Sequence, residues 1–269
     1  MPQFFTDKEK KLTKKYEQRG YIIKDLDHYQ KKKLIKIRNI YFSLSKKICK
    51  FKSKNTPYIL NNFHKYVSAK NLNKVRLNII KQSNKNNEEL RKLYYEVARD
   101  YLEILLGNEL VMQKRINLSI QLPKDDSSLL PIHSDVWSGD SPYELVVWIP
   151  LVDCYKSKSM YILDPKNYEK FYNKTKNKMM FKSENIFKII QKKVKWLNVK
   201  FGQVLLFNQC LPHGNIVNVE KETRWSLNCR FKSVFSPYHD KRIGEFFEPI
   251  TLRPVSSYGM NYEFPKFKS

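Results

Sequence analysis

Arg224-Trp225-Ser226-Leu227-Asn228-Cys229-Arg230-Phe231 divides cleanly by parity. Successive side chains of an extended chain point to opposite sides, so Arg224, Ser226, Asn228 and Arg230 share one face and Trp225, Leu227, Cys229 and Phe231 the other. The stretch predicts a long strand, 222–235, with one apolar face that packs and one polar face carrying two guanidiniums. On an ordinary edge strand the polar face would meet water. Turned into a barrel it would need anionic partners, because a buried unpaired guanidinium is costly.

The same period of two recurs upstream. Ile116, Leu118, Ile120 and Leu122 alternate with Arg115, Asn117, Ser119 and Gln121, as in a strand with unlike faces. Residues 143–152 form a nearly continuous apolar run suited to a central strand. Shorter strands are expected at 159–163, 194–199 and 203–207. Asp164-Pro165 breaks the pattern and opens a Lys- and Asn-rich insert, about 165–195, expected to be helical around Glu184 to Lys193. After the long strand, Pro237, Pro249, Pro254 and Pro265 predict an irregular tail over 239–269.

Before residue 110 the period is helical. Thr6 and Glu9 have capping-box spacing, and 29–50 reads as an amphipathic surface helix. Over 88–106, Leu90, Leu93, Tyr94, Val97, Tyr101, Leu102 and Leu105 form one stripe, and Gly107 stands where a C-cap glycine belongs. Helices first and many short strands after predict an α+β chain with a mainly β core, a jelly-roll or barrel under an N-terminal helical layer. The expected organisation is one structural domain: a helical region 1–110 packed on a core 111–238, then the tail.

Composition narrows the function classes. At 269 residues with 41% hydrophobic and 29% charged residues, the chain can bury a core without disulfides and is not expected to be disordered. Lys and Arg number 51 against 26 acidic residues, a net charge of +25, which raises nucleic acid or an anionic surface as a partner. Only ten of the 51 are Arg, the residue that phosphate and base recognition favours. The Lys excess accompanies excesses of Asn and Ile, as an A/T-rich coding sequence produces, so nucleic acid is not the expected partner. No apolar run reaches the roughly 18 residues of a membrane span. The first eight residues lack the layout of a secretory leader. Cys49, Cys154, Cys210 and Cys229 show no paired or zinc-type spacing. A cytoplasmic location is expected; the oligomeric state is left open.

The histidines locate the chemistry. Of five, only His133 has a carboxylate two residues on, Asp135. Residues i and i+2 of an extended segment share a face, so both can reach one ion. A second imidazole, His213, follows the 203–207 strand, and Arg224-Trp225-Ser226 begins eleven positions later. Two His and one carboxylate on one side of Fe(II) form a facial triad that leaves positions open for a co-substrate. A 2-oxoglutarate there would need a buried cation for its distal carboxylate, a task suited to an arginine fork.

His133-x-Asp135, His213 and Arg224-x-Ser226, in that order, resemble the Fe(II)/2-oxoglutarate-dependent oxygenases, and the eleven-residue step with its RxS form resembles the phytanoyl-CoA dioxygenase branch. Residues 131–144 and 213–218 are similar to oxygenases of bacterial carbohydrate and aminoglycoside clusters, of the streptomycin-biosynthesis type. The likeness spans about 112–238 and leaves out the insert. It implies a double-stranded β-helix in which His133, Asp135 and His213 bind Fe(II) and are the catalytic centre. Arg224 and Ser226 would hold the distal carboxylate of 2-oxoglutarate, with Gln121 or Asn117 at its other end. The implied reaction consumes O2, releases succinate and CO2, and hydroxylates a C–H bond of a small molecule. That substrate is expected to be a sugar or sugar conjugate, phosphorylated and nucleotide-linked forms included. Trp137, Asp140 and Tyr143, close after the first motif, are candidates to stack on and bond a sugar, or simply to anchor a loop. Arg230 is a candidate second anion ligand or a structural ion-pair partner. The insert is either a lid or a solvated surface.

Two other readings compete. Nucleic-acid dealkylating dioxygenases also carry two arginines six residues apart on the last strand, as Arg224 and Arg230 are, but the step from His213 to Arg224 is short for that branch. A jelly-roll that only binds a ligand would need neither histidine.

Overall fold

The computed structural model describes residues 4–176 and 183–266; part of the Lys-rich insert, 177–182, lies outside them. Thr6 opens helix α1 (Asp7–Arg19) with the expected capping box: its hydroxyl accepts from the Glu9 N–H, and the Glu9 carboxylate accepts from the Thr6 N–H. Gly20 ends that helix at φ +73°, where a Cβ would stand 2.0 Å from Leu211 Cδ1, so both the backbone and the space exclude a larger residue. Strand β1 (Tyr21–Asp25) follows, then α2 (His28–Cys49), α3 (Thr56–Asn61), α4 (Ala69–Ser83) and α5 (Asn87–Leu106). The chain then turns to strands β2 (Leu110–Gln113), β3 (Asn117–Gln121), β4 (Leu145–Pro150) and β5 (Tyr161–Ile162). The insert contributes α6 (Pro165–Thr175) and α7 (Ser183–Ile190), and β6 (Lys195–Trp196), β7 (Gln203–Asn208), β8 (His213–Gly214) and β9 (Arg224–Ser233) complete the core. Strand β10 (Phe247–Thr251) and helix α8 (Pro254–Met260) close the described chain.

Two antiparallel sheets result. The larger runs β1-β7-β4-β9-β2-β10, with β3 also on β9; the smaller runs β6-β5-β8. The ten-residue β9 organises the larger sheet. Along one edge it pairs with β4; along the other its first half pairs with β3 and its second half with β2. The fold is α+β, a jelly-roll of antiparallel sheets with the N-terminal helices laid on one face.

The parity of β9 decides which face goes where. Trp225, Leu227, Cys229 and Phe231 are fully buried. Trp225 meets the edge of Phe63 at 4.8 Å between ring centroids, and Phe231 stacks on Tyr94 of α5 at 6.4 Å. The Tyr94 hydroxyl donates into the sheet itself, 2.8 Å from the Val147 carbonyl. One hydrophobic core thus runs from the helices into the larger sheet. Replacing Trp225 by Ala is expected to cost about 3–5 kcal/mol, as deleting a fully buried large aromatic does, without touching the polar face. Thermal unfolding checks this: a change below about 1 kcal/mol would mean that the helical layer is not held by this face.

Three expectations need correction. The N-terminal region is not purely helical, because Tyr21–Asp25 forms an edge strand on β7; five residues interrupted by Lys24 carry too short a pattern to read. The tail is not irregular throughout: β10 pairs with β2 despite Pro249, at a point where the register shifts, and α8 follows. The strands expected at 159–163 and 194–199 shrink to two-residue pairs, Tyr161–Ile162 and Lys195–Trp196. No helix among the described residues is long and apolar enough to cross a membrane.

Candidate metal centre

His133 and His213 come from different strand connections and are stapled together by their backbones. The N–H of each donates to the carbonyl of the other, at 2.9 and 2.8 Å. Ser134, between the two residues of the first motif, is buried and its hydroxyl lies 3.0 and 2.9 Å from the carbonyls of Gln209 and Cys210. The Asp135 N–H donates to Gln209 as well. Gly214 must be small: a Cβ there would stand 2.7 Å from Tyr161 Oη and 2.9 Å from the Leu130 carbonyl. The sequence therefore locks the loop carrying His133 and Asp135 against β8 and the turn before it, and the three candidate ligands converge.

The hydrogen bonds also decide the tautomers. His133 Nδ1 lies 2.8 Å from the Pro131 carbonyl and His213 Nδ1 2.8 Å from the Leu211 carbonyl. A carbonyl only accepts, so each Nδ1 carries the proton and each Nε2 keeps its lone pair. Those Nε2 atoms stand 3.4 and 3.8 Å from Asp135 Oδ1. Ligand atoms about 2.1 Å from a first-row ion are at most about 4.2 Å apart, so both separations suit one shared ion. The other Asp135 oxygen is taken: Oδ2 lies 2.9 Å from an Arg230 Nη, which leaves Oδ1 to face the imidazoles.

Charge and burial act in opposite directions on the two rings. Burial, and then the nearby His133, push the His213 pKa down to about 4. Burial alone would raise Asp135, but the His133 hydrogen bond and the charges of His213 and Arg230 hold its carboxyl well below the usual carboxylate range. Burial lowers His133, yet its bonds to Asp135 and the Pro131 carbonyl outweigh this and the net shift is upward. Acidification is therefore expected to weaken metal binding chiefly through His133, which protonates at a higher pH than an ordinary imidazole and must lose that proton to bind. Below the His133 pKa the apparent affinity should fall about tenfold per pH unit. Metal titrations between about pH 8 and about pH 6 test this, and an affinity flat across that interval would contradict it.

A cavity of about 580 Å³ opens on the three ligands. Arg224 lines it, almost wholly buried, with one Nη donating to the Ser159 carbonyl at 3.1 Å and the other to Ser119 Oγ at 2.8 Å. Its Nε has no partner, and burial lowers its pKa to about 10. Among the described residues no carboxylate pairs with it. Antiparallel register sets Gln121 opposite Arg224, Ser119 opposite Ser226 and Asn117 opposite Asn228. Asn117 lines the cavity and donates to Asn228 at 2.9 Å. Gln121 and Ser226 are buried beside it without lining it; Gln121 donates to the Ile216 carbonyl at 2.6 Å, while its Oε1 and the Ser226 hydroxyl have no partner.

The four residues considered for a substrate fare differently. Arg230 lines the cavity, but its guanidinium is held by Asp135, by Gln209 Oε1 at 3.0 Å and by Asp140 at 3.3 Å. Asp140 is buried and also paired with Lys241, so its carboxylate serves this network. Trp137 and Tyr143 are 47% and 54% exposed and do not line the cavity. Nor does any described residue of the insert: Ile186 and Ile190 of α7 pack against Ile132, Tyr161 and Leu163 instead. Arg76 and Arg115 do line it; Arg115 stood in the same alternating polar set as Asn117 and Ser119 but just ahead of β3, whereas Arg76 lies on a helix whose sequence gave no signal.

No family model matches the chain, and no curated protein does. Solved structures do match. EctD from S. alaskensis, with 2-oxoglutarate and 5-hydroxyectoine, superposes with a TM-score of 0.54 at 13% identity over 86% of this chain and 77% of its own. The non-heme alpha-ketoglutarate-dependent carbocyclase SnoK from nogalamycin biosynthesis gives a TM-score of 0.53 at 14% identity, over 92% and 97%. With the larger sheet, the smaller sheet and the helical layer all in place, the chain has the jelly-roll fold found in these two proteins.

Proposed function

We propose that the chain is an Fe(II)- and 2-oxoglutarate-dependent oxygenase that oxidises a C–H bond of a small molecule. The observation that carries this is the pairing of two features in one cavity: a His133, Asp135, His213 donor set with both Nε2 atoms within 3.8 Å of one carboxylate oxygen, and a buried Arg224 lacking an acidic partner among the described residues. The donor set fits iron, since imidazole and carboxylate suit that ion and three ligands leave positions open. The orphaned Nε, with the unpartnered Ser226 hydroxyl next to it on the same strand face, fits a carboxylate that both could hold. The two structural matches whose names include 2-oxoglutarate or its synonym support the same reading.

When bound, iron and 2-oxoglutarate supply the power to activate O2, with succinate and CO2 released. The chain's own residues position and protect. Arg230 keeps Asp135 Oδ2 engaged so that Oδ1 alone is presented. The Pro131 and Leu211 carbonyls fix both rings. Arg224 would take the distal carboxylate with the help of Ser226, and Asn117 is the cavity-lining candidate for the other end. Val146, Trp148, Met160 and Phe207 form apolar wall around the site and exclude water from it. Asn73, Ser127, Ser128 and Asn215 also line the cavity, among apolar residues such as Ile80, Leu129 and Leu130, and their hydroxyl and amide groups could bond a sugar or sugar conjugate.

The test is conversion of 2-oxoglutarate to succinate by the full chain with Fe(II) in air. Succinate formation that needs both iron and O2, and that is lost in Asp135→Ala, is the expected result. No succinate at saturating iron, with and without candidate sugars, would leave a binding module in its place.

A further inference from the structure

The charge of the cavity is not balanced by the chain. Four arginines line it, Arg76, Arg115, Arg224 and Arg230, and Asp135 is its one lining carboxylate. Arg230 pairs with that carboxylate, and the proposed co-substrate accounts for Arg224. Arg76 and Arg115 remain. Among the described residues no carboxylate lies within ion-pair distance of either; Arg76 reaches only neutral oxygens, Asn73 Oδ1 at 2.8 Å and the Leu118 carbonyl at 3.4 Å.

Their placement makes them a pair with a direction. Asn73, Arg76 and Ile80 lie three and four residues apart on α4 and present one stripe to the cavity. Arg115 comes from the turn between β2 and β3, just before the residues of β3 that line the same cavity. The Leu118 carbonyl within reach of Arg76 belongs to that strand. Arg115 is exposed, Arg76 and His133 are half-buried, and Asp135 and His213 are buried. Exposure along the cavity lining thus falls from Arg115 toward Asp135 and His213. They are also two of only ten arginines in a chain whose positive charge is mainly Lys. A diffuse lysine surface attracts any anion weakly and is screened by salt, whereas guanidinium forks bind oxyanions in fixed geometry.

We propose that the substrate carries an anionic group, a phosphate or a carboxylate, which Arg76 and Arg115 receive at the mouth of the cavity while the rest of the molecule extends toward His133, Asp135 and His213. The inference rests on the oxygenase reading for the site of reaction, but the anion contact itself stands on the cavity alone. It adds a requirement the metal centre does not impose: neutral molecules of the same shape should bind poorly.

Calorimetric titration of the full chain, anaerobically with Fe(II) and 2-oxoglutarate present and in moderate salt, decides the matter. The probes are glucose 6-phosphate, glucuronate and glucose. One of the two anions should bind at least about tenfold more tightly than glucose; the tighter of them tells phosphate from carboxylate. Arg76→Gln should remove about tenfold of that preference and Arg115→Gln about threefold, the smaller loss reflecting its exposure. Lys74→Gln, which takes one charge from the same helix outside the cavity lining, should leave the preference unchanged. Equal binding of all three probes, or an equal loss in Lys74→Gln, would overturn the inference. The visible band of the iron chelate, recorded in the same samples, keeps the two ideas apart. Anion preference without the band would remove the oxygenase reading and keep the anion site; the band without the preference would do the reverse.

Discussion

In the His213→Ala variant, Fe(II) affinity is expected to fall by at least about a hundredfold and 2-oxoglutarate turnover to vanish, while the protein stays folded. His213 supplies one of only three candidate ligand atoms in the cluster, and two ligands cannot define a facial site. The imidazole is buried and neutral in the metal-free chain, its pKa near 4, so it is ready to bind without losing a proton. Its side chain makes one hydrogen bond, to the Leu211 carbonyl. The backbone bridge to His133 survives the change, so β8 should keep its place. Metal binding followed by calorimetry, beside an unfolding curve, separates the two effects. Iron affinity within about threefold of the parent would show that the cluster is not the metal centre.

Arg224→Met should separate stability from function. In the chain alone, Arg224 is a buried cation with no carboxylate partner among the described residues and an unpartnered Nε. Replacing such a charge with an apolar side chain of similar length is neutral or stabilising, by about 1 kcal/mol or more. The same change deletes the fork proposed for 2-oxoglutarate, and losing about 3 kcal/mol of charge-assisted bonding weakens binding by about a hundredfold. Iron binding should be unaffected, because Arg224 contacts no ligand residue. A variant that melts higher, binds iron normally and binds 2-oxoglutarate weakly is the expected outcome, and stability traded for a ligand site is its cause. Normal 2-oxoglutarate affinity in Arg224→Met would remove this arginine from the co-substrate site.

The legible parts of the molecule were those written in local periodicity. The alternation of β9 told which side chains pack on the helices and which look into the barrel, and Trp225 and Arg224 lie accordingly. The stripe of 88–106 and the capping box at Thr6 reappear as α5 and α1. The triad was readable because its members are tied to short spacings: His133 and Asp135 two residues apart, His213 just after a strand. Contacts made across the chain left no such trace. The hold of Arg230 on Asp135 is one, 95 positions distant in sequence but 2.9 Å in space. Asp140 is another: near the first motif it looked free to meet a sugar, yet Lys241, from the region taken for an irregular tail, pairs with it. Arg76 reaches the cavity only because α4 is laid against β3. The short edge strand β1 and the tail strand β10 depend on partners distant in sequence, β7 and β2.

One cavity should hold Fe(II) on three side chains and 2-oxoglutarate beside it, and an anaerobic titration of metal-free protein, first with Fe(II) and then with 2-oxoglutarate, reports both through the visible charge-transfer band of the chelate. The band should saturate at one equivalent of iron, be absent in His213→Ala, and need about a hundredfold more 2-oxoglutarate in Arg224→Met. A chain that binds iron weakly or not at all, with no band at any 2-oxoglutarate concentration, would contradict it.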